Sequence, residues 1–186
     1  SRVDLSGKVL TGTNLSGVDL SGKDLTGANL IRANLRKSNL TGVNLKDANL
    51  ARSDLAGADL TGANAVSTTL VQSNLTGADL TGADLREANL INADISGATV
   101  TDTNFERTFL CRTTMPDGKE SGCNLVKANL RNVDLTGANL TEADLTSAEL
   151  AGANLERAKL KRANLTGADL TEANLSGANL YGAYIR

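Results

Sequence analysis

The sequence contains no histidine, which excludes every catalytic arrangement that uses an imidazole as the base for a nucleophile. It also lacks tryptophan, and its only aromatic residues are Phe105, Phe109, Tyr181 and Tyr184. A core without large rings must be thin and filled by small aliphatic side chains. No apolar run reaches the length needed to cross a bilayer, so no membrane association is expected.

The sequence also has few cysteines and little net charge. Two cysteines are too few to indicate a disulfide framework. The 19 basic and 21 acidic residues give a net charge of −2, which provides no strong reason to expect nucleic acid as a partner. No signal-peptide pattern opens the sequence, which starts at Ser1, and we therefore expect a cytoplasmic protein.

The feature that is present almost everywhere is a five-residue period. Residues 78–90, ADLTGADLREANL, show the unit: a small residue, Asp or Asn, Leu, and two polar residues. We call the Leu position the centre. Leu occupies 30 of the 35 centres between Leu5 and Leu110 and between Leu125 and Ile185. A period of five matches neither a helix nor a simple strand, and it predicts a solenoid whose turns bury one another.

The residues around the centre predict a corner after every five residues. The position before the centre holds Asp or Asn in 28 of 35 repeats, and these short side chains support turns. Almost all glycines lie two residues after a centre, as do Gly22 and Gly42. A type II turn needs a positive φ at that place. Because Arg, Lys, Glu or Asn stand there in other repeats, we expect the corners to mix turn types.

These repeats resemble the pentapeptide-repeat protein family, A-(D/N)-L-x-x, in the form common among cyanobacteria, over nearly the full length of the chain. The resemblance implies an all-β fold, a right-handed quadrilateral parallel β-helix with four pentapeptides per coil. The centre and the small residue then face inward, and 35 repeats make about 8–9 coils.

One break interrupts the repeats. Pro116 lacks an amide donor and Asp117-Gly118 is a turn pair, so pairing should stop there. We therefore expect a first repeat segment over residues 1–110, an interruption or linker loop over 111–122, and a second segment over 123–186. The register in fives continues across the break, which favours stacking of the second segment on the first.

The two cysteines flank this break, and two alternatives remain open for them. Cys123 stands at an inward small position, whereas Cys111 follows a centre and should point outward. Because the two side chains should point in opposite directions, a buried Cys123 with an exposed Cys111 is favoured. A disulfide between Cys111 and Cys123 requires that the loop re-aim one of them.

A surface for protein contacts emerges when the sequence is wrapped at 20 residues per coil. Ile31, Val71 and Ile91 fall in one outward column and form an apolar stripe, with arginines in the column beside it. These arginines are Arg32, Arg52 and Arg112. An apolar stripe edged with arginine suits a protein partner, although β-branched residues also simply favour ladder positions.

The last corner carries a second candidate. Tyr181 and Tyr184 flank it, where they can cover the end of the core or contact another copy of the chain. An uncapped β-helix end presents unpaired backbone groups, so an end-to-end homodimer is one expectation.

Two functions remain after these exclusions. The first is a non-enzymatic protein-interaction scaffold or regulator with an unidentified protein partner, no cofactor and no metal. The alternative, which the resemblance suggests, is a DNA-mimicking modulator of type II topoisomerase (DNA gyrase). Mimicry needs a dense anionic surface, since duplex DNA carries one charge per about 1.7 Å. The near balance of acidic and basic residues counts against it.

Overall fold

The computed structural model describes residues 4–186, which form two compact units. Unit 1 comprises Ser1–Thr108 and Thr113–Glu120, and unit 2 comprises Phe109–Arg112 and Ser121–Arg186. The predicted interruption or linker loop over residues 111–122 is divided between the two units. Thr113–Glu120 packs with unit 1, while the residues on both sides of it belong to unit 2. The first three residues of the predicted 1–110 segment lie outside the described residues.

Both units are built from parallel bridges between single residues. Residues 4–186 contain no helix and no strand longer than one bridge residue. Each parallel bridge joins positions 20 residues apart, so four pentapeptides make one coil. One ladder of unit 1 runs through Asp4, Asp24, Asn44, Asn64, Asp84 and Asn104, and one ladder of unit 2 runs through Asn124, Asp144, Asn164 and Tyr184.

The hydrogen bonds around Leu25 show how one pentapeptide is held. The Leu25 amide donates to the carbonyl of Asn44 in the next coil at 2.8 Å, and the amide of Ala28 donates back to the Leu25 carbonyl at 2.9 Å. The carboxylate of Asp24 accepts the Thr26 amide at 3.0 Å. The Asp or Asn before each centre thus stabilises the corner that follows, as the repeat predicts.

The corners share a positive φ, whether glycine or another residue stands there. Gly22 has a φ of 60° and Arg32 has a φ of 57° at the equivalent corner position. The same inter-coil bond fixes both, because the Gly22 amide donates to Thr41 O and the Arg32 amide to Ala51 O. The left-handed conformation costs a non-glycine residue about 1–2 kcal/mol, and the ladder holds it there nevertheless.

The core of each unit is a column of leucines alternating with small residues. Leu30, Leu50 and Leu90 in unit 1 and Leu145 in unit 2 are fully buried. Serine at a small position is also buried, and its hydroxyl is satisfied: Ser38 Oγ donates to the Leu35 carbonyl at 2.7 Å. Burial of most inward positions leaves little room for a ligand inside the coils, so the outward columns are the candidates for binding.

Acidification is expected to destabilise the corners. The Thr171 hydroxyl and amide donate to Asp169 Oδ1 at 2.6 and 3.0 Å, and with the nearby Arg131 they lower the pKa of Asp169 below its ordinary value. A lowered folded pKa adds stability above the unfolded pKa of about 3.9, and this is lost as the pH falls through the folded pKa. Urea midpoints should therefore hold from neutral pH to about pH 5 and fall below about pH 4.

Asp169→Asn tests this cause directly, because asparagine accepts the same two bonds in the equivalent corner at Asn164. The variant should keep its fold and show a shallower loss of stability in acid. An unchanged acid slope would assign the pH dependence to other carboxylates.

Candidate protein-interaction surface

The predicted apolar stripe is not an exposed surface. Val71 and Ile91 are 1 % and 0 % exposed, and Ile31 is half-buried. The backbone amide of Gln72 donates to the Ile91 carbonyl at 3.0 Å, and this bond links the backbones of two neighbouring coils. The prediction that this stripe binds a partner is therefore wrong for Val71 and Ile91.

The arginines of the prediction have different environments. Arg32 is exposed. Arg52 is half-buried, and its Nε donates to Gln72 Oε1 at 3.0 Å, linking two coils of unit 1. In unit 2, an Nη of Arg112 donates to the Thr141 carbonyl at 2.8 Å. Arg52 and Arg112 thus bind the protein itself, and no continuous arginine edge is left for a ligand.

The structure joins Cys111 and Cys123 in a disulfide, with their Cα atoms 4.0 Å apart. Cys111 is fully buried, so the alternative that leaves it exposed is wrong. The reason is a chain reversal that the repeat does not contain: an antiparallel bridge joins Thr114 and Glu120. Each cysteine lies three residues outside this bridge, so the reversal brings the two together.

The two tyrosines are exposed in unit 2. Tyr181 is 75 % exposed and Tyr184 is 66 % exposed. Tyr184 forms a parallel bridge with Asn164, in a ladder position that other repeats fill with Asp or Asn. The Lys161 ammonium lies 5.9 Å from the centre of the Tyr181 ring, within cation–π range.

A group of basic residues next to the tyrosines was not predicted from the sequence. Lys159, Lys161 and Arg162 are exposed, while Leu160 between them is fully buried. Lys159 bridges Asn139 and Asn179. The sequence did contain a sign of this group, because Lys159 replaces the Asp or Asn that usually precedes the centre. We call the following residues the basic–tyrosine surface: Lys159, Lys161, Arg162, Tyr181, Tyr184 and Arg186.

A cleft of about 560 Å³ opens within this surface. Arg162, Tyr184 and Arg186 line it, together with Glu142 and Asp144. The Arg162 guanidinium lies 3.6 Å from a Glu142 carboxylate oxygen, in a pair of exposed side chains. Asp144 Oδ1 accepts the hydroxyl and the amide of Thr146 at 2.5 and 3.1 Å. The acidic groups of the cleft therefore have partners within unit 2, and each carboxylate keeps lone pairs that can accept further hydrogen bonds.

Neither a cluster of metal-ligating side chains nor a membrane-spanning helix is found among the described residues. Residues 4–186 bring together no three Asp, Glu or Cys side chains that could hold a metal ion. Over the same residues, no helix has the length and apolar character needed to cross a bilayer.

Comparison with protein families identifies the repeats. The family model for pentapeptide repeats matches in eight copies, which lie within residues 1–107 and 121–186. The chain belongs to the pentapeptide repeat family. A comparison with curated protein sequences finds no match.

Solved pentapeptide repeat structures resemble the chain to different degrees. HetL, involved in regulating heterocyst differentiation in the cyanobacterium Nostoc sp. strain PCC 7120, is 32 % identical with a TM-score of 0.59, over 97 % of this chain and 91 % of HetL. Rfr23 of the cyanobacterium Cyanothece 51142 is 33 % identical with a TM-score of 0.38, over 55 % of this chain and 80 % of Rfr23. Trypsin-treated QnrB1, a plasmid-mediated fluoroquinolone resistance protein, is 22 % identical with a TM-score of 0.49, over 100 % of this chain and 86 % of QnrB1.

Proposed function

We propose that this pentapeptide repeat protein is a non-enzymatic interaction module with a regulatory role, and that each unit is a right-handed, four-sided parallel β-helix. The observation that carries the proposal is the basic–tyrosine surface. Its residues are exposed, and the repeat does not require them. The similarity to HetL, a protein involved in developmental regulation, supports a regulatory role.

The ladder explains how such a surface can recognise a partner. Lys159 is held between two bridge partners, and the Arg162 amide donates to the Tyr181 carbonyl at 2.9 Å. The backbone beneath the side chains is therefore fixed before a partner arrives. Binding then costs less ordering of the backbone than it would on a flexible loop.

The charge of this surface argues against mimicry of DNA. A mimic must present closely spaced negative charge, whereas the exposed side chains of Lys159, Lys161 and Arg162 are positive. The counts of 19 basic and 21 acidic residues give the whole chain a net charge of only −2. A protein partner therefore fits the surface better than a topoisomerase site built for duplex DNA.

Affinity capture from the native cell tests the proposal. We compare the unmodified chain with a repeat-restoring variant, Lys159→Asn, Lys161→Thr, Tyr181→Thr and Tyr184→Asn. Each change installs a residue that other repeats use at that position, so the fold should survive. The control is Lys46→Thr in unit 1, an exposed lysine at the same repeat position as Lys161.

A specific partner should bind the unmodified chain and the control and be lost from the repeat-restoring variant. A partner retained by a folded repeat-restoring variant would move the binding site elsewhere. Absence of any specific partner, including a second copy of the chain by light scattering, would contradict the interaction module itself.

A further inference from the structure

We propose that the basic–tyrosine surface binds an acidic segment of a partner protein, one that carries carboxylates next to an apolar side chain. This inference rests on the proposed function and adds the chemistry of the partner. It follows from the charge of the surface, from the exposure of its tyrosines and from the hydrogen-bonding groups of its cleft.

The positive charge is concentrated on one face of a single coil. Strand-like alternation directs Lys159 and Lys161 to the same side, with Leu160 buried between them. Arg162 follows at the corner and is also exposed. Three cations within four residues attract a segment that carries several carboxylates, and they raise its rate of association.

Little of this charge is neutralised within the protein. Among the described residues, neither Lys159 nor Lys161 forms an ion pair. Arg162 pairs with Glu142 at 3.6 Å, but the two side chains are 66 % and 60 % exposed. Such an exposed pair contributes little to stability, so a partner carboxylate can replace Glu142 at small cost.

The tyrosines supply the apolar part of the site. Tyr181 and Tyr184 expose most of their surface although the repeat allows Thr, Ser or Asn at these positions. Tyrosine and arginine are enriched where protein partners make their strongest contacts. An apolar side chain of the partner segment can pack on these rings while its acidic neighbours reach Lys159 and Lys161.

The cleft favours a peptide over a nucleic acid. Its walls include the carboxylates of Glu142 and Asp144, which accept hydrogen bonds. The phosphodiester groups of a nucleic acid offer no donors to these carboxylates, whereas a peptide offers its backbone N–H groups. A short acidic segment can thus place its own carboxylates at the lysines and its backbone N–H groups at the cleft.

Fluorescence anisotropy with three labelled probes tests the inference. The probes are a peptide of alternating glutamate and leucine, a matched peptide of glutamine and leucine, and an oligothymidylate of equal length. The proteins are the unmodified chain, Lys159→Asn with Lys161→Thr, and the Lys46→Thr control, each checked for an unchanged thermal transition. The glutamate peptide should bind best, and the double substitution should weaken it about tenfold or more.

The control should bind the glutamate peptide as the unmodified chain does. Equal binding of the glutamate and glutamine peptides would remove the acidic requirement, and tighter binding of oligothymidylate would make the surface a nucleic-acid site. Absence of peptide binding would also overturn the inference. If affinity capture still recovers a partner that the repeat-restoring variant loses, the proposed function survives; if capture fails too, both fall.

Discussion

Leu75→Ala is expected to lower the free energy of unfolding by about 2–5 kcal/mol. Leu75 is fully buried in unit 1, and its amide donates to the Asp94 carbonyl at 2.7 Å. That backbone bond remains after the substitution, so the loss comes from the missing side chain and from the cavity it leaves. The bridges between coils hold the neighbouring backbone in place, so the coils cannot close over this cavity.

Chemical denaturation followed by circular dichroism measures this loss. Leu10→Ala is the matched control, because Leu10 occupies the same repeat position but is only half-buried. The control should lose clearly less stability than Leu75→Ala. Equal losses at the two positions would show that burial does not determine the contribution of a centre.

Reduction of the disulfide is expected to lower the free energy of unfolding by about 2–4 kcal/mol. Cys111 and Cys123 are separated by 12 residues, and their bond joins Phe109–Arg112 to the remainder of unit 2. Without the bond, the unfolded chain gains the conformations that the closed loop excluded. The short segment then depends on its hydrogen bonds, such as the one from Arg112 to the Thr141 carbonyl.

Guanidinium titrations with and without a dithiol reductant measure this effect. The double substitution Cys111→Ser with Cys123→Ser provides the control. Its midpoint should match that of the reduced protein and should not respond to the reductant. A midpoint that is the same in oxidised and reduced protein would show that the bond adds no stability.

The core-facing positions of the fold were predictable because every repeat shows the same residue pattern. Leucine at the centre and alanine two positions earlier indicate a narrow core, and Leu50 and Ala48 are buried accordingly. The acceptor role of the residue before the centre was also predictable, as Asp24 shows. Repetition removes the ambiguity that a single apolar pentapeptide would leave.

The outward half was harder to predict, because exposure depends on neighbours 20 residues away. The sequence indicates that Ile91 points away from the core, but not that its surroundings cover it completely. The positive φ of Arg32 was also hard to predict, since residue preferences are weaker than the inter-coil bond that fixes this φ. Of the candidate site, only the tyrosines were predicted, although Lys159 departs visibly from the repeat.

The core and the surface of this protein follow different sequence periods. Inward positions recur every five residues, while bridge partners recur every 20. A deletion of five residues inside a unit would leave leucine and alanine in their places but would turn every later side chain by a quarter of a coil. Lys161 would then face a different direction on an intact core. A five-residue deletion can thus preserve the fold and disrupt the binding surface. A deletion of 20 residues would instead shorten the protein by one coil and keep each face aligned.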